Sequence, residues 1–181
     1  MAFLRSLRAL LISAVLMAGQ AVGAAATEYE IKAVFLLHFS RFVEWPENAF
    51  AEPDSPFVVC VFGHDPFGEA LDAAVRGEMS GNRPIVARRI RDVAAVHECH
   101  ILFVHRSEDA RLGEILAALD HRSTLTVSDS VRSVRRGEMI RLVTDNDRIR
   151  LRIDVDAARS AQLKIRSNLL RAAEIVGARG D

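Results

Sequence analysis

The spacing of apolar residues predicts a helix near the beginning of the folded part of the chain. Between Tyr29 and Trp45, large apolar residues recur at steps of three and four, and further apolar residues cover much of the remaining surface. A helix that is apolar on nearly all sides is either buried or covers a partner. We expect Phe35 and Phe42, which share one stripe, to lie in the core, and Phe39, on a different side, to contact a partner or a second copy.

The rest of the chain alternates between apolar runs typical of strands and segments typical of helices. Continuous apolar runs suit strands that are buried on both faces of a sheet. The predicted strands are 57–62, 84–90, 101–104 and 125–127, followed by a hairpin of 138–143 and 148–153. The predicted helices run from Asp65-Pro66 to Arg76, over 93–97, from the N-cap Ser107 to Leu119, and, capped by Asp156, from Ala157 to Val176. This order predicts an α/β fold: a mainly parallel sheet flanked by helices on both faces, with an antiparallel edge hairpin near the C-terminus.

Length and charge narrow the class of protein. A chain of 181 residues suffices for one domain, and 50% hydrophobic residues exclude a disordered chain. Because 24 Lys and Arg balance 24 Asp and Glu, the composition argues against a nucleic-acid-binding protein.

The first 26 residues predict export. Arg5 and Arg8 precede a short apolar run, 9–18, and small residues follow it. We expect a cleaved signal peptide over 1–26 and a single domain over 27–181 in the periplasm, with no membrane span after cleavage. An uncleaved N-terminal anchor is the alternative.

Export to the periplasm bears on the state of the two cysteines. An oxidising compartment permits a disulfide between Cys60 and Cys99, which lie within and just before two predicted buried strands. The alternative is two buried free thiols that pack as small apolar residues.

The sequence contains no established catalytic or nucleotide-binding motif. In α/β sheets ligands bind beyond the carboxyl ends of the strands. Polar residues at those ends form a candidate cleft for a small anionic ligand: His64, Asp65, His105, Arg106, Ser128 and Asp129. A Ser/His/Asp triad can be drawn from Ser128 or Ser130, His105 and Asp129, but the same residue types are ordinary in turns and caps. We therefore predict no catalytic residues and no cofactor. We also predict no metal site, since the spacing in 97–100 (His-Glu-Cys-His) does not match structural zinc patterns.

Several segments, in order along 28–177, resemble the YfiR family of periplasmic regulators. The opening segments are Tyr29-x-Ile31-Lys32-Ala33-x-Phe35-Leu36 and Phe42-Val43-Glu44-Trp45-Pro46. The middle segments are Cys60-Val61-Phe62-Gly63-x-Asp65-Pro66-Phe67-Gly68, Cys99-His100-Ile101-Leu102-Phe103 and Leu125-Thr126-Val127-Ser128-Asp129. The last segment is Ile165-Arg166-Ser167-Asn168-Leu169-Leu170.

The resemblance implies a non-enzymatic repressor. Proteins of this family bind the periplasmic portion of an inner-membrane diguanylate cyclase of the YfiN type and hold its cytoplasmic catalytic domain inactive, which lowers cyclic di-GMP and biofilm formation. The resemblance also implies a homodimer. Any second disulfide of relatives is absent, because the chain has two cysteines. The alternative function is a periplasmic module that binds a small ligand at the strand tips and passes a signal to a membrane partner.

Overall fold

A mixed sheet with helices on both faces forms the frame of the protein. The computed structural model describes residues 27–119, 122–130, 137–146 and 148–176, so the predicted signal peptide lies outside the described residues. Within these ranges, no helix has the length and apolar character needed to cross a membrane.

Five α-helices and ten strands follow one another along the described residues. The helices are α1 (Glu28–Phe42), α2 (Glu69–Val75), α3 (Leu112–Ala118), α4 (Val155–Ser160) and α5 (Ser167–Arg171). The strands are β1 (Val43–Glu44), β2 (Phe57–Phe62), β3 (Met79–Ser80), β4 (Arg83–Ile90), β5 (Ile101–Val104), β6 (Leu125–Ser128), β7 (Ile140–Asp145), β8 (Arg148–Asp154), β9 (Lys164–Ile165) and β10 (Glu174–Val176). Short 3-10 turns occupy Glu47–Ala49, Val93–Glu98 and Arg106–Glu108.

The main sheet has eight strands in the order β10-β8-β7-β6-β5-β2-β4-β3. Its centre, from β4 to β7, is parallel, and β7 and β8 pair antiparallel as a hairpin. The predicted α/β class and the C-terminal hairpin are therefore confirmed. The hairpin is not the edge, however, because β10 adds outside it, parallel to β8.

Alternate residues of the central strands pack into two cores. In β2, Val59 and Val61 face the larger core beneath α1 and α2. Cys60 and Phe62 face a smaller core beneath α3. All six residues of β2 are buried, which is why its sequence shows no polar alternation.

A disulfide joins Cys60 to Cys99 within the smaller core, with the two Cα atoms 5.7 Å apart. Cys99 directly follows the 3-10 turn Val93–Glu98 and precedes β5, the parallel neighbour of β2. The predicted pairing is confirmed in the structure. It closes a loop of 39 residues in sequence separation.

Helix α1 begins at a capping box and ends earlier than predicted. Thr27 accepts a hydrogen bond from the Glu30 N–H, and the Glu30 carboxylate accepts one from the Thr27 N–H. The helix ends at Phe42, three residues before Trp45. The chain leaves it in extended form, because Val43–Glu44 pairs with Lys164–Ile165 as an antiparallel ribbon.

The prediction that Phe39 faces a partner is wrong. Its side chain has no solvent exposure and lies in the larger core. Phe35 and Phe42 are only partly buried and pack at the margin of that core. The spacing of apolar residues could not separate these faces, because α1 is apolar around most of its circumference.

Two helix starts also lie later than predicted. Asp65 begins no helix: its carboxylate accepts the N–H of Phe67, and α2 starts at Glu69 after Gly68. Ser107 is not an N-cap, since it lies within a 3-10 turn capped by the His105 ring, and α3 starts at Leu112. In both places a polar side chain bonds locally to the backbone and forms a turn instead of opening a helix.

The closing segment is not the single helix that we predicted over 157–176. Asp154, rather than Asp156, accepts the Ala157 N–H and caps the short α4. Gln162, with φ of +60°, then ends that helix, and β9, α5 and β10 follow. A residue in the left-handed conformation cannot continue a right-handed helix. The spacing of apolar residues does not predict where such a residue occurs.

Candidate functional site

A buried ion pair lies at the carboxyl ends of the central strands. The Lys32 ammonium, on the first turns of α1, is 3.0 Å from Oδ2 of Asp129, which directly follows β6. The Lys32 and Asp129 side chains are 1% and 0% exposed. Glu28, one turn before Lys32, provides a second carboxylate at 2.5 Å. The pair therefore fastens α1 to the tip of β6.

Tyr29 and His105 extend this pair into a hydrogen-bonded chain. The Tyr29 hydroxyl donates to Oδ2 of Asp129 at 2.8 Å, and Nε2 of His105 lies 3.1 Å from the same hydroxyl. Since the hydroxyl proton is directed at Asp129, Nε2 of His105 must be the donor to Tyr29. Nδ1 of His105 accordingly accepts from the backbone N–H of Ser107. Because Nε2 donates and Nδ1 accepts, the imidazole of His105 is the neutral tautomer with its proton on Nε2.

Burial and hydrogen-bonded or charged neighbours together set the pKa values of Asp129, Tyr29 and His105. Burial by itself raises the pKa of Asp129, but Lys32 and the hydrogen bonds from Tyr29 and the Arg106 N–H outweigh it, so the pKa lies below its usual value. Burial and the bond to Asp129 raise the pKa of Tyr29. Burial lowers the pKa of His105, against the attraction of Asp129. At neutral pH Asp129 is therefore charged, while Tyr29 and His105 are neutral.

The six residues of the predicted ligand cleft do not all meet. The His64 and His105 rings lie 5.1 Å apart, and the Arg106 N–H donates to Asp129. Asp65 instead pairs with Arg89. Ser128 donates to the buried Glu138, 3.5 Å away. Four of the six residues thus surround the strand tips.

Two residues of α1, Tyr29 and Lys32, fill the place where a strand-tip ligand was expected. Sequence reasoning assigned neither of them to the site. A usable signal existed, since Lys32 is one of two lysines in the chain and stands between Ile31 and the apolar run 33–37. A charge in such a position needs a buried partner.

The Ser/His/Asp arrangement that the sequence permits is not assembled. The nitrogens of His105 lie against Tyr29 and Ser107, whereas Ser130 donates to Asp109. In residues 27–119, 122–130, 137–146 and 148–176, no three His, Cys, Asp or Glu side chains gather as a metal would require. Of the segment 97–100, Cys99 is in the disulfide and the His100 ring bonds to Val58 and Ala49.

Helix α1 presents an apolar outer face above this anchored interior. Ile31 and Val34 are 38% and 45% exposed, and His38, one turn further, is half-buried. Residues at these spacings share one side of a helix. We call Ile31, Val34 and His38 the outer face of α1.

Comparison with known proteins assigns the chain to a family. A search of curated proteins finds no match. A sequence model of the YfiR/HmsC-like family matches residues 29–174, which include α1 apart from Glu28, the disulfide, and Tyr29, Lys32, His105 and Asp129. The protein belongs to the YfiR/HmsC-like family.

Proposed function

We propose that the protein is a non-enzymatic periplasmic repressor of an inner-membrane diguanylate cyclase. The family match over residues 29–174 carries this proposal, since membership fits a periplasmic regulator of cyclic di-GMP signalling. The disulfide supports export, because such bonds persist in oxidising compartments. Binding of the cyclase's periplasmic portion would hold its catalytic domain inactive.

The outer face of α1 is the surface that we propose for this contact. Apolar side chains rimmed by polar residues mark interaction sites, and Ile31 and Val34 are two of the four large apolar residues exposed among the described residues. The face is held in place from below, because Lys32 on the opposite side of α1 is bonded to Asp129. A repressor needs a surface with different affinities for two states of its partner, and a rigidly seated helix provides one.

The genetic test measures cyclic di-GMP. Deletion of the gene in a strain that expresses the cognate cyclase should raise the nucleotide, and wild-type protein supplied from a plasmid should restore the low level. Val34→Asp should accumulate to the wild-type level yet fail to restore it. Ile175→Asp provides a matched control, since Ile175 is also an exposed apolar residue, on β10 at the edge of the main sheet rather than on α1. Unchanged cyclic di-GMP after deletion would refute the proposal.

We also propose that the protein is a homodimer, as the family resemblance implies. Sedimentation of the exported protein over a range of concentrations tests this. A dimer is expected, and a monomer at all concentrations would refute it. The same measurement on Val34→Asp shows whether self-association uses the outer face of α1 or leaves that face free for the cyclase.

A further inference from the structure

The winding of the sheet reverses between β2 and β5. From β2 the chain passes through α2 to β4 on one side, and from β5 it passes through α3 to β6 on the other. The loops that follow these two neighbouring parallel strands therefore diverge. In open α/β sheets, ligands bind in the crevice that such a divergence leaves at the carboxyl ends of the strands.

A cleft of about 350 Å³ lies at this point. Its lining is Gly63, His64, Arg91, Glu108 and Arg111. Arg91 has no ion pair and no hydrogen bond with any described residue. His64 has no hydrogen bond either, and its ring lies against that of His105. The cleft thus holds a guanidinium and an imidazole whose donors are not used by the described part of the protein.

A carboxylate of the protein itself occupies the floor of the cleft. Gly63 has φ of +77°, and a Cβ at this position would lie 2.5 Å from Oε1 of Glu108. The same carboxylate is 3.7 Å from Nη1 of Arg111, and Nε of Arg111 lies 3.3 Å from Oε2 of Glu114. The bare Cα of Gly63 therefore admits an anionic group, and Glu108 shows that a planar oxyanion fits against it.

We propose that this cleft binds a small oxyanion, either a phosphate or the carboxylate of a small molecule, between Arg91, His64 and Arg111. Arg91 is the main anchor, because it forms no ion pair or hydrogen bond with any described side chain. Glu108 competes for the same place, so the bound anion displaces it from the floor. Glu108 keeps the affinity weak, because the anion has to displace its carboxylate. The site is separate from the outer face of α1 and does not depend on repression of a cyclase.

The test is an NMR titration of the isotope-labelled exported protein with inorganic phosphate and, separately, with citrate, at constant ionic strength set with chloride. Saturable shifts are expected at the amides of Gly63, His64 and Glu108. Arg91→Gln should weaken binding at least tenfold, whereas Glu108→Gln should strengthen it several-fold, an effect that damage to the fold cannot produce. The tighter of the two probes identifies the phosphoryl or the carboxylate class.

Arg148→Gln is the matched control, since Arg148 is also an exposed arginine without an ion pair among the described residues, on β8. It should bind like the wild type. Shifts that do not saturate, or that persist unchanged in Arg91→Gln, would mean an adventitious ion only and would overturn the proposal.

Discussion

Nζ of Lys32 lies 3.0 Å from Oδ2 of Asp129, a residue 97 positions later in the chain, and solvent reaches neither side chain. This contact joins α1 to the carboxyl end of β6. It also explains how α1 tolerates a buried lysine among its apolar residues. A buried charge is stable only with its partner, so the two residues act as a unit.

The first prediction concerns this unit. Asp129→Ala should lower the free energy of unfolding by about 3–5 kcal/mol, because it leaves the Lys32 ammonium buried beside Glu28 alone. The double variant Lys32→Met/Asp129→Ala should recover part of that loss, since no unpaired charge remains. Urea denaturation of both single variants and the double variant completes the cycle. Strictly additive losses would show that the two residues do not interact.

The second prediction concerns the disulfide. Cys60→Ser and Cys99→Ser should each destabilise the protein by about 2–5 kcal/mol, and to the same extent, since either change opens the same loop. Denatured wild-type protein, without reductant, should show no free thiol. Wild-type protein treated with reductant is the control, and its melting temperature should match that of the variants. A variant that melts like the oxidised wild type would mean that the bond does not stabilise the fold.

The third prediction is a pH dependence set by His100. This ring lies against the rings of Phe50 and Phe57, with centroids 4.5 and 5.0 Å away, and burial lowers its pKa to about 4. Its Nδ1 accepts from the Val58 N–H, which requires the neutral ring. Between pH 6.5 and 4 the unfolded chain binds a proton that the folded chain does not, so stability falls as the pH falls through this window.

Urea denaturation at pH 7 and pH 5 measures the effect. The control is His97→Gln, which changes an exposed neighbouring histidine and keeps His100. Between pH 7 and pH 5 the free energy of unfolding of His97→Gln should fall by up to about 2 kcal/mol more than that of His100→Gln. This difference should be clearly greater than zero. His100→Gln should be less stable than the wild type at pH 7, but its free energy of unfolding should change less with pH. Equal pH dependence in the two variants would contradict this assignment.

The fourth prediction separates core from surface on α1. Phe39→Ala should cost about 3–5 kcal/mol, since the side chain is wholly buried and truncation leaves a cavity. Val34→Ala, on the outer face, should change stability by no more than about 0.5 kcal/mol. Thermal melts of both variants decide the matter. A stable Phe39→Ala protein would place this residue outside the core.

The strands were predictable because burial on both faces leaves a plain signal. Phe57–Phe62 is apolar at every position, and the structure keeps it as β2 with its predicted bounds. In α1, by contrast, apolar residues lie on most sides of the helix, so their spacing does not show which face is buried. The prediction for Phe39 therefore assigns it to the wrong face. The segment 157–176 contains helix-forming residues throughout, yet contacts distant in sequence divide it, through the pairing of β9 with β1 and of β10 with β8.

The candidate site was half visible in the sequence. His105 and Asp129 stand at the ends of apolar runs, where strand tips place ligand-binding residues. That Tyr29 and Lys32 meet them depends on how α1 crosses the sheet, which no local pattern specifies. Asp65 and Ser128 carry the same chemistry at similar positions, but they find nearer partners in Arg89 and Glu138.

The central claim, direct binding to a membrane diguanylate cyclase, is tested most directly by cross-linking in intact cells followed by purification of the tagged protein and quantification of the membrane proteins that it carries. We predict that a diguanylate cyclase with a periplasmic portion is strongly enriched over a tagged, exported control protein, and that Val34→Asp reduces this enrichment at equal protein level. No enrichment of any such cyclase with the wild-type protein would contradict the account.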